Sequence, residues 1–166
     1  EELYCSFAGE LVLAHWVSAT SVRCSTAAMS SAHSAAVSVV SRDMTVSAAS
    51  EEDFVYYVAP YPTAVAPTSA SVAGGVPVAV TVDNGAAGVV ACRFGAVSVP
   101  VSRIEGETVV CVAPDHASGT VTVTVTANDV DYSRLGVQFL FRDDVSASFL
   151  SPSWGGPAGG TVVTVR

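Results

Sequence analysis

Four cysteines are the residues of this sequence whose spacing points most clearly to chemistry. Cys5 and Cys24 are separated by 19 positions, and so are Cys92 and Cys111. Zinc binding is disfavoured, because there is no Cys-x-x-Cys motif and the three histidines are isolated. The shared spacing predicts one disulfide within each pair, with four reduced, buried thiols as the alternative. Because disulfides persist in oxidising compartments, we expect an extracellular or cell-surface protein.

Two tryptophans are candidates for binding. Trp16 follows His15 between the cysteines of the first pair, and Trp154 lies in a segment rich in Pro and Gly. An indole offers a flat apolar face and one hydrogen-bond donor, which suits stacking on a sugar or anchoring a partner protein. We therefore treat Trp16 and Trp154 as candidate partner or glycan contacts, with an ordinary surface position as the alternative.

Candidates for catalysis and metal binding are weak. His33 and His116 lie in predicted loops and lack paired acids. The run 128–131, Asn-Asp-Val-Asp, clusters oxygen atoms that could hold Ca²⁺, but it lacks the Gly and distal Glu of an EF-hand loop, so a solvated turn is predicted. No serine-hydrolase, phosphate-loop or dinucleotide motif is present. We therefore expect no enzymatic activity, no cofactor and no metal site.

The composition indicates which elements position these residues. The 166 residues include 32 Val, 25 Ala, 21 Ser and 13 Thr but no Lys, a bias that favours strands over helices. Seven Arg against fifteen acidic residues give a net charge of −8, which argues against nucleic-acid binding. No apolar run approaches the ~20 residues of a membrane span, so we expect no membrane insertion in this segment.

The sequence repeats itself. The Cys-x-Phe run at 5–7 recurs 87 positions later at 92–94, and Cys24 recurs at Cys111. The aromatic run 54–56 recurs 85 positions later at 139–141. Pro67 and the Gly pair 74–75 recur at the same offset of 85, as Pro152 and the pair 159–160. Several unrelated residue types keep one register, which predicts a tandem repeat.

Alternation and turn residues predict short strands within the repeat. The expected strands are 76–82, 89–94, 97–101, 108–113, 120–126 and 137–141, with a further one at 36–40 in the first copy. The run 83–85, Asp-Asn-Gly, is a strong hairpin-turn signal between the first two of these strands. Strict Val/Thr alternation in 120–126 predicts that Val121, Val123 and Val125 are buried and that the Thr residues are more exposed. So many short strands are typical of an all-β sandwich.

Four runs carry a family resemblance: Cys-Arg-Phe-Gly at 92–95, Thr-Val-Val-Cys-Val-Ala-Pro at 108–114, Gly-Thr-Val-Thr-Val at 119–123 and Phe-Leu-Phe at 139–141. With these runs the sequence resembles the IPT/TIG family, an immunoglobulin-like fold found in plexins, related receptors and some transcription factors. Residues 150–165, with Pro and Gly-Gly-Thr before a strand, resemble the opening of such a domain. The resemblance implies all-β, immunoglobulin-like sandwich repeats: the C-terminal part of a first domain at 1–59, a complete domain at 60–142 and the opening strands of a third at 143–166.

The expected function is a non-enzymatic structural or adhesive segment of an extracellular array. The alternatives are a receptor ectodomain, a carbohydrate-binding module or an accessory domain of a secreted carbohydrate-active enzyme. Expected partners are neighbouring copies of the protein or adjacent domains of one long chain, with glycans as a further class. O-linked sugars on the many Ser and Thr residues would make it a glycoprotein.

A last expectation concerns the two terminal segments. The sequence opens without an initiator Met or signal-peptide pattern and stops inside a Val-Thr run, so we expect a part of a longer chain. In the repeat register, the segment 143–166 supplies the strands that precede those of 1–58. We therefore expect it to complete that half-sandwich in a neighbouring copy, within one long chain or between chains. A head-to-tail contact of this kind generates a filament unless it closes into a ring.

Overall fold

The computed structural model describes residues 2–44, 46–144 and 146–166. These residues form β-strands and one short 3-10 helix, Ala86–Gly88, so the fold is all-β as the composition predicts. Contacts divide the chain into two units, Glu1–Val58 and Ala59–Arg166. In the described part of the chain, no helix has the length and apolar character needed to cross a membrane.

The described residues of the first unit form eight short strands. They are β1 (Leu3–Phe7), β2 (Glu10–Leu13), β3 (His15–Ser18), β4 (Ser21–Arg23), β5 (His33–Ala35), β6 (Val37–Ser41), β7 (Val46–Ala49) and β8 (Phe54–Tyr56). One sheet has the order β2-β1-β6-β7, while β3 pairs with β4 and β5 pairs with β8. Among the residues of this unit whose burial is described, the buried apolar ones are Cys5, Phe7, Ala35 and Val40.

Ten strands are formed by those residues of the second unit that the structure describes. They are β9 (Tyr61–Ala66), β10 (Ser69–Ser71), β11 (Pro77–Asp83), β12 (Ala91–Phe94), β13 (Val97–Glu105), β14 (Thr108–Val112), β15 (Gly119–Thr126), β16 (Val137–Arg142), β17 (Leu150–Ser151) and β18 (Thr164–Val165). The first eight form a continuous ladder in the order β10-β16-β15-β12-β13-β14-β11-β9.

Strand β13 turns this ladder into two layers. Its first half pairs with β12, and its second half, from Val101 onward, pairs with β14 with a register shift between Val101 and Arg103. The layer β10-β16-β15-β12 therefore packs against the layer β14-β11-β9. The core between them contains three phenylalanines, Phe94, Phe139 and Phe141, whose rings meet edge to face. This is the β-sandwich that the short alternating strands predict.

The disulfides join the pairs that equal spacing predicts. Cys92 on β12 is bonded to Cys111 on β14, so the bond ties one layer of the second unit to the other. Cys5 on β1 is bonded to Cys24, which follows β4. The Cα–Cα distance is 6.3 Å in both cases. Both bonds therefore link equivalent positions in the repeat register.

The predicted hairpin at residues 83–85 is wrong. Asn84 and Gly85 have the positive φ angles, 61° and 103°, that such a turn favours. The strands on either side do not pair, however: β11 pairs with β9 and β14, whereas β12 pairs with β13 and β15. The turn leads through the 3-10 helix from one layer to the other. Two strands before it, β9 and β10, were not among the predicted ones.

The predicted alternation of burial on β15 holds only for its first half. Val123 and Val125 are fully buried and Val121 is partly buried, as predicted. Thr120 and Thr122 are exposed, but Thr124 and Thr126 are buried at 9% and 1% exposure. The second half of β15 is therefore covered on both faces.

The C-terminal strands form a separate hairpin. Leu150 faces Val165 and Ser151 faces Thr164 in an antiparallel pair. The backbone N–H of Arg166 donates to Phe149 O, and the N–H of Phe149 donates back to Arg166 O. The apolar side chains of this hairpin remain substantially exposed.

Candidate functional site

The connection between β15 and β16, residues 127–136, covers the Thr face of β15. Asn128 organises its tip: the Oδ1 atom accepts from the backbone N–H of Val130 at 3.1 Å and of Asp131 at 2.8 Å. Its Nδ2 donates to Asp131 Oδ2 at 3.0 Å. An Asn side chain that replaces backbone partners in this way fixes a turn. The run 128–131, predicted to be a solvated turn, is thus an ordered one.

A second set of hydrogen bonds fastens this connection to β15. Ser133 Oγ accepts from the N–H of Val125 at 3.2 Å and donates to Leu135 O at 2.7 Å. Gly136 passes so close to the strand that an added Cβ would lie 2.4 Å from Thr122 Cγ2. Residues 127–136 therefore have a defined shape on the surface of the sandwich.

Arg93 and Tyr132 form the centre of this surface. Arg93 points outward from β12, between the buried Cys92 and Phe94, and its Cζ lies 3.9 Å from the centroid of the Tyr132 ring. Tyr132 Oη lies 2.6 Å from Ser98 Oγ and donates to Asp129 Oδ1 at 3.3 Å. The cation–π contact and these hydrogen bonds hold both side chains in place.

A cleft of about 770 Å³ lies beside this pair, lined also by Pro60, Tyr61, Val130, Arg134 and Leu135. Val130 and Leu135 are 76% and 62% exposed. Arg93 Nε is buried and has no hydrogen-bond partner among the described residues. Apolar side chains and the two arginines Arg93 and Arg134 thus line one cleft, a combination that suits a binding surface.

Tyr61 at the rim of this cleft is held by Asp83. The phenol Oη donates to Asp83 Oδ2 at 2.8 Å, across the pair β9–β11. This hydrogen bond, together with the negative charge of the carboxylate, raises the pKa of Tyr61 above its ordinary value of 10.0. The phenol therefore loses its proton only at a higher pH than an ordinary tyrosine.

The two tryptophans named from the sequence are both exposed. Trp16 on β3 is 69% exposed and borders a cavity of about 220 Å³ with Leu13 and Val22. Trp154, in the connection between β17 and β18, is 83% exposed. Their accessibility is compatible with contact to a partner or glycan, which stays a prediction for both residues.

Two of the three histidines, His33 and His116, stack on aromatic rings. The His33 ring lies 5.2 Å from that of Tyr56 at an interplanar angle of 19°, and the His116 ring lies 4.8 Å from that of Phe141 at 17°. Tyr56 and Phe141 occupy equivalent positions in the repeat register. In the part of the chain that the structure describes, no group of three or more His, Cys, Asp or Glu side chains could hold a metal ion.

The Arg93–Tyr132 cleft was not predicted from the sequence. Its residues lie on three separate segments: the start of β9, the strand β12 and the connection 127–136. One clue was present, an Arg at an outward position between two core residues of β12. That clue becomes informative only when residues 127–136 are known to fold over the same face.

Comparison with known proteins identifies the second unit. Residues 60–141 match the sequence model of the IPT/TIG domain family. This segment is an IPT/TIG domain. The match runs from the start of β9 to all but the last residue of β16, so both layers and the Cys92–Cys111 bond belong to the TIG domain. The immunoglobulin-like sandwich implied by the sequence resemblance is confirmed.

Other comparisons add little. No significant match to a curated protein was found. Among solved structures, SGBP-B of the Bacteroides ovatus mixed-linkage glucan utilization locus, in complex with a mixed-linkage heptasaccharide, is similar with a TM-score of 0.41 and 10% identity. The alignment covers 84% of this chain and 38% of that one, so the chain spans well under half of the length of that protein.

Proposed function

We propose that the chain is a non-enzymatic structural and adhesive segment of an extracellular array of immunoglobulin-like domains. The observation that carries the proposal is the match between the first unit and the TIG domain. The bond Cys5–Cys24 lies 87 positions before Cys92–Cys111, and β8 lies 85 positions before the aromatic centre of β16. A second TIG-like unit before the TIG domain makes a tandem array the simplest architecture.

The disulfides support an extracellular or cell-surface location. Both bonds close loops in small domains, where a crosslink contributes a large share of the net stability. Such bonds persist outside the reducing cytosol. The surface is acidic, with a net charge of −8, which favours contacts with other domains or neutral glycans over nucleic acid.

Adhesion is tested by clustering of coated beads. Beads coated with the full chain should cluster in oxidising buffer, because each chain would contact copies on other beads. Beads coated with reduced and alkylated chain are the control and should stay single. If beads coated with the untreated chain stay single and also fail to adhere to a coated surface, the adhesive function is refuted.

The exposed tryptophans favour one second candidate, a carbohydrate-binding module. Trp16 presents most of its indole beside a cavity, the arrangement that stacks on sugar rings. A glycan array should then show binding that Trp16→Ala abolishes. The neighbouring exposed Val17 supplies the matched control, since Val17→Ala should leave binding unchanged. Glycan binding without bead clustering would replace the adhesive proposal with this one.

A further inference from the structure

The cleft beside Tyr132 contains two arginines that have no acidic partner. Among the described residues, ion pairs form at Arg42 and Arg103, and Arg93 and Arg134 belong to neither pair. The cleft is also lined by the carboxylate of residue 131, which is held by the side-chain amide of residue 128. Two guanidinium groups against one carboxylate give the lining a net positive charge, on a chain whose overall net charge is −8.

The sandwich does not need an arginine at position 93. Arg93 follows Cys92 on β12, and the residue that follows Cys5 at the equivalent place on β1 is Ser6. Both cysteines are buried and disulfide-bonded, so the two strands have the same place in their units. Because the strand can be built with a serine there, the fold alone does not explain the guanidinium of Arg93.

The polar side chains of the cleft are held by contacts within the TIG domain. The Arg93 guanidinium stacks on Tyr132, whose phenol oxygen is hydrogen-bonded to Ser98. On the other side of the cleft, the hydrogen bond to Asp83 holds Tyr61. Side chains that are already fixed lose little conformational entropy when a ligand binds, so this arrangement favours binding.

The chemistry of the lining favours a peptide over a sugar. An arginine guanidinium binds a carboxylate through two parallel hydrogen bonds. The exposed Val130 and Leu135 are aliphatic, so they match an apolar side chain better than a ring rich in hydroxyl groups. The face of Tyr132 that meets Arg93 is covered by the guanidinium, so it is not available for stacking on a sugar ring.

We propose that this cleft binds an acidic peptide segment of a partner protein. A Glu or Asp carboxylate of the partner binds at Arg93 and Arg134, and a neighbouring apolar side chain packs on Val130 and Leu135. Arginine and tyrosine are enriched among the residues that contribute most to protein interfaces, which fits this use of the cleft. The site adds a partner to the self-contacts of the proposed function and does not depend on them.

Titration of the full chain with two peptides, followed by NMR, tests whether the cleft recognises a carboxylate. The capped peptide Leu-Glu-Leu-Glu-Leu carries both required features, and Leu-Gln-Leu-Gln-Leu keeps the shape without the charge. The Glu peptide should shift the amide resonances of residues 127–136 until they saturate. The Gln peptide should bind about tenfold more weakly, because charge-assisted hydrogen bonds are lost. Equal affinities, or shifts that do not saturate at millimolar peptide, would overturn the proposal.

Two arginine variants show whether the peptide binds in this cleft. Arg134→Gln removes an exposed charge from the lining and should weaken binding of the Glu peptide by about tenfold. Arg103→Gln is the matched control, because Arg103 is an exposed arginine on β13 outside the cleft, and it should leave binding unchanged. Equal weakening in the two variants would mean that only the overall charge matters, and it would refute the site.

The same spectra distinguish the peptide from two other occupants. An oligogalacturonate carries its carboxylates on sugar rings and should bind more weakly than the Glu peptide. Tighter binding of the oligogalacturonate at residues 127–136 would identify an acidic glycan as the ligand and overturn the peptide proposal. Shifts of these residues that appear as the chain itself is concentrated, and that disappear in Arg134→Gln, would place a second copy in the cleft and overturn it as well.

Discussion

The Cζ atom of Arg93 on β12 lies 3.9 Å from the centroid of the Tyr132 ring. This contact joins β12 to residues 127–136. A cation over an aromatic ring is worth about 0.5–2 kcal/mol, depending on exposure. A double-mutant cycle of Arg93→Ala and Tyr132→Ala should therefore give a coupling free energy of about 1 kcal/mol in urea unfolding of the TIG domain. Tyr132→Phe keeps the ring and should retain the coupling. Additive effects of the two Ala substitutions would contradict a direct contact.

Gly74 and Gly159 occupy equivalent positions, with φ of 68° and 76°, but differ in their surroundings. A Cβ on Gly74 would lie 2.4 Å from the backbone carbon of Pro114, whereas a Cβ on Gly159 would meet nothing within 4 Å. Gly74→Ala should destabilise the TIG domain by about 2–4 kcal/mol, since it combines a backbone clash with an unfavourable φ. Gly159→Ala carries only the φ penalty and should leave the TIG domain unchanged. Hydrogen exchange of TIG-domain amides measures the effect of both substitutions. Equal losses of protection in the two variants would contradict the close approach of Gly74 to Pro114.

The disulfide Cys92–Cys111 ties the two layers of the TIG domain together. Removing a crosslink that closes a loop of this length costs about 3 kcal/mol, chiefly by releasing the unfolded chain. Cys92→Ser/Cys111→Ser should therefore lower the free energy of opening of the amides on β12 and β14, measured by hydrogen exchange, by about 3 kcal/mol. Cys5→Ser/Cys24→Ser is the matched control, because it should act on β1 and β6 while sparing the TIG domain. Unchanged protection in the first variant would show that packing alone holds the layers.

Tyr61 should ionise at higher pH than an ordinary tyrosine. Its hydrogen bond to Asp83, and the charge of that carboxylate, favour the protonated phenol, so the folded-state pKa is raised. The stabilisation is accordingly present below the ordinary pKa and is lost as pH rises through the raised one. Asp83→Ala should return the pKa of Tyr61 to its ordinary range. Titration of the tyrosine ¹³Cζ resonances measures this, and the remaining tyrosine resonances serve as an internal control. An unshifted Tyr61 resonance in the original chain would contradict the hydrogen bond.

The sequence predicted those features that depend on local pattern or on repetition. Strand identities follow from alternation and turn residues, and the cysteine pairs follow from a spacing that occurs twice. The pairing of β11 could not be predicted in this way, because Asn84-Gly85 has the same local conformation in a hairpin and in a turn between layers. Which strands pair with each other depends on long-range packing.

The candidate site was harder to predict for the same reason. Trp16 and Trp154 were named from residue type alone, because an indole offers a flat apolar face and a hydrogen-bond donor. The cleft beside Arg93 requires that residues 127–136 lie over the Thr face of β15. Alternation on a strand predicts which residues share a face, but it does not predict that a distant connection covers that face.

The two buried threonines of β15 test directly whether residues 127–136 cover this strand. Thr126 Oγ1 is hydrogen-bonded to Asn128, both through the side-chain Oδ1 at 3.2 Å and through the N–H at 3.3 Å. Thr124 Oγ1 is buried without a hydrogen-bond partner among the described residues. A hydrogen bond contributes about 1 kcal/mol net, and a buried polar atom without a partner costs about 1–3 kcal/mol.

The same substitution should therefore have opposite effects at these two positions. Thr126→Val removes two hydrogen bonds from the turn at Asn128 and should destabilise the TIG domain by about 1–2 kcal/mol. Thr124→Val keeps the shape of the side chain and replaces an unpaired hydroxyl by a methyl group, so it should be neutral or stabilising by up to about 1 kcal/mol. Urea unfolding followed by NMR signals of TIG-domain residues compares the two variants under one set of conditions. Equal destabilisation would mean that the hydroxyl of Thr124 has a partner in solution, and two neutral substitutions would mean that residues 127–136 do not cover the strand.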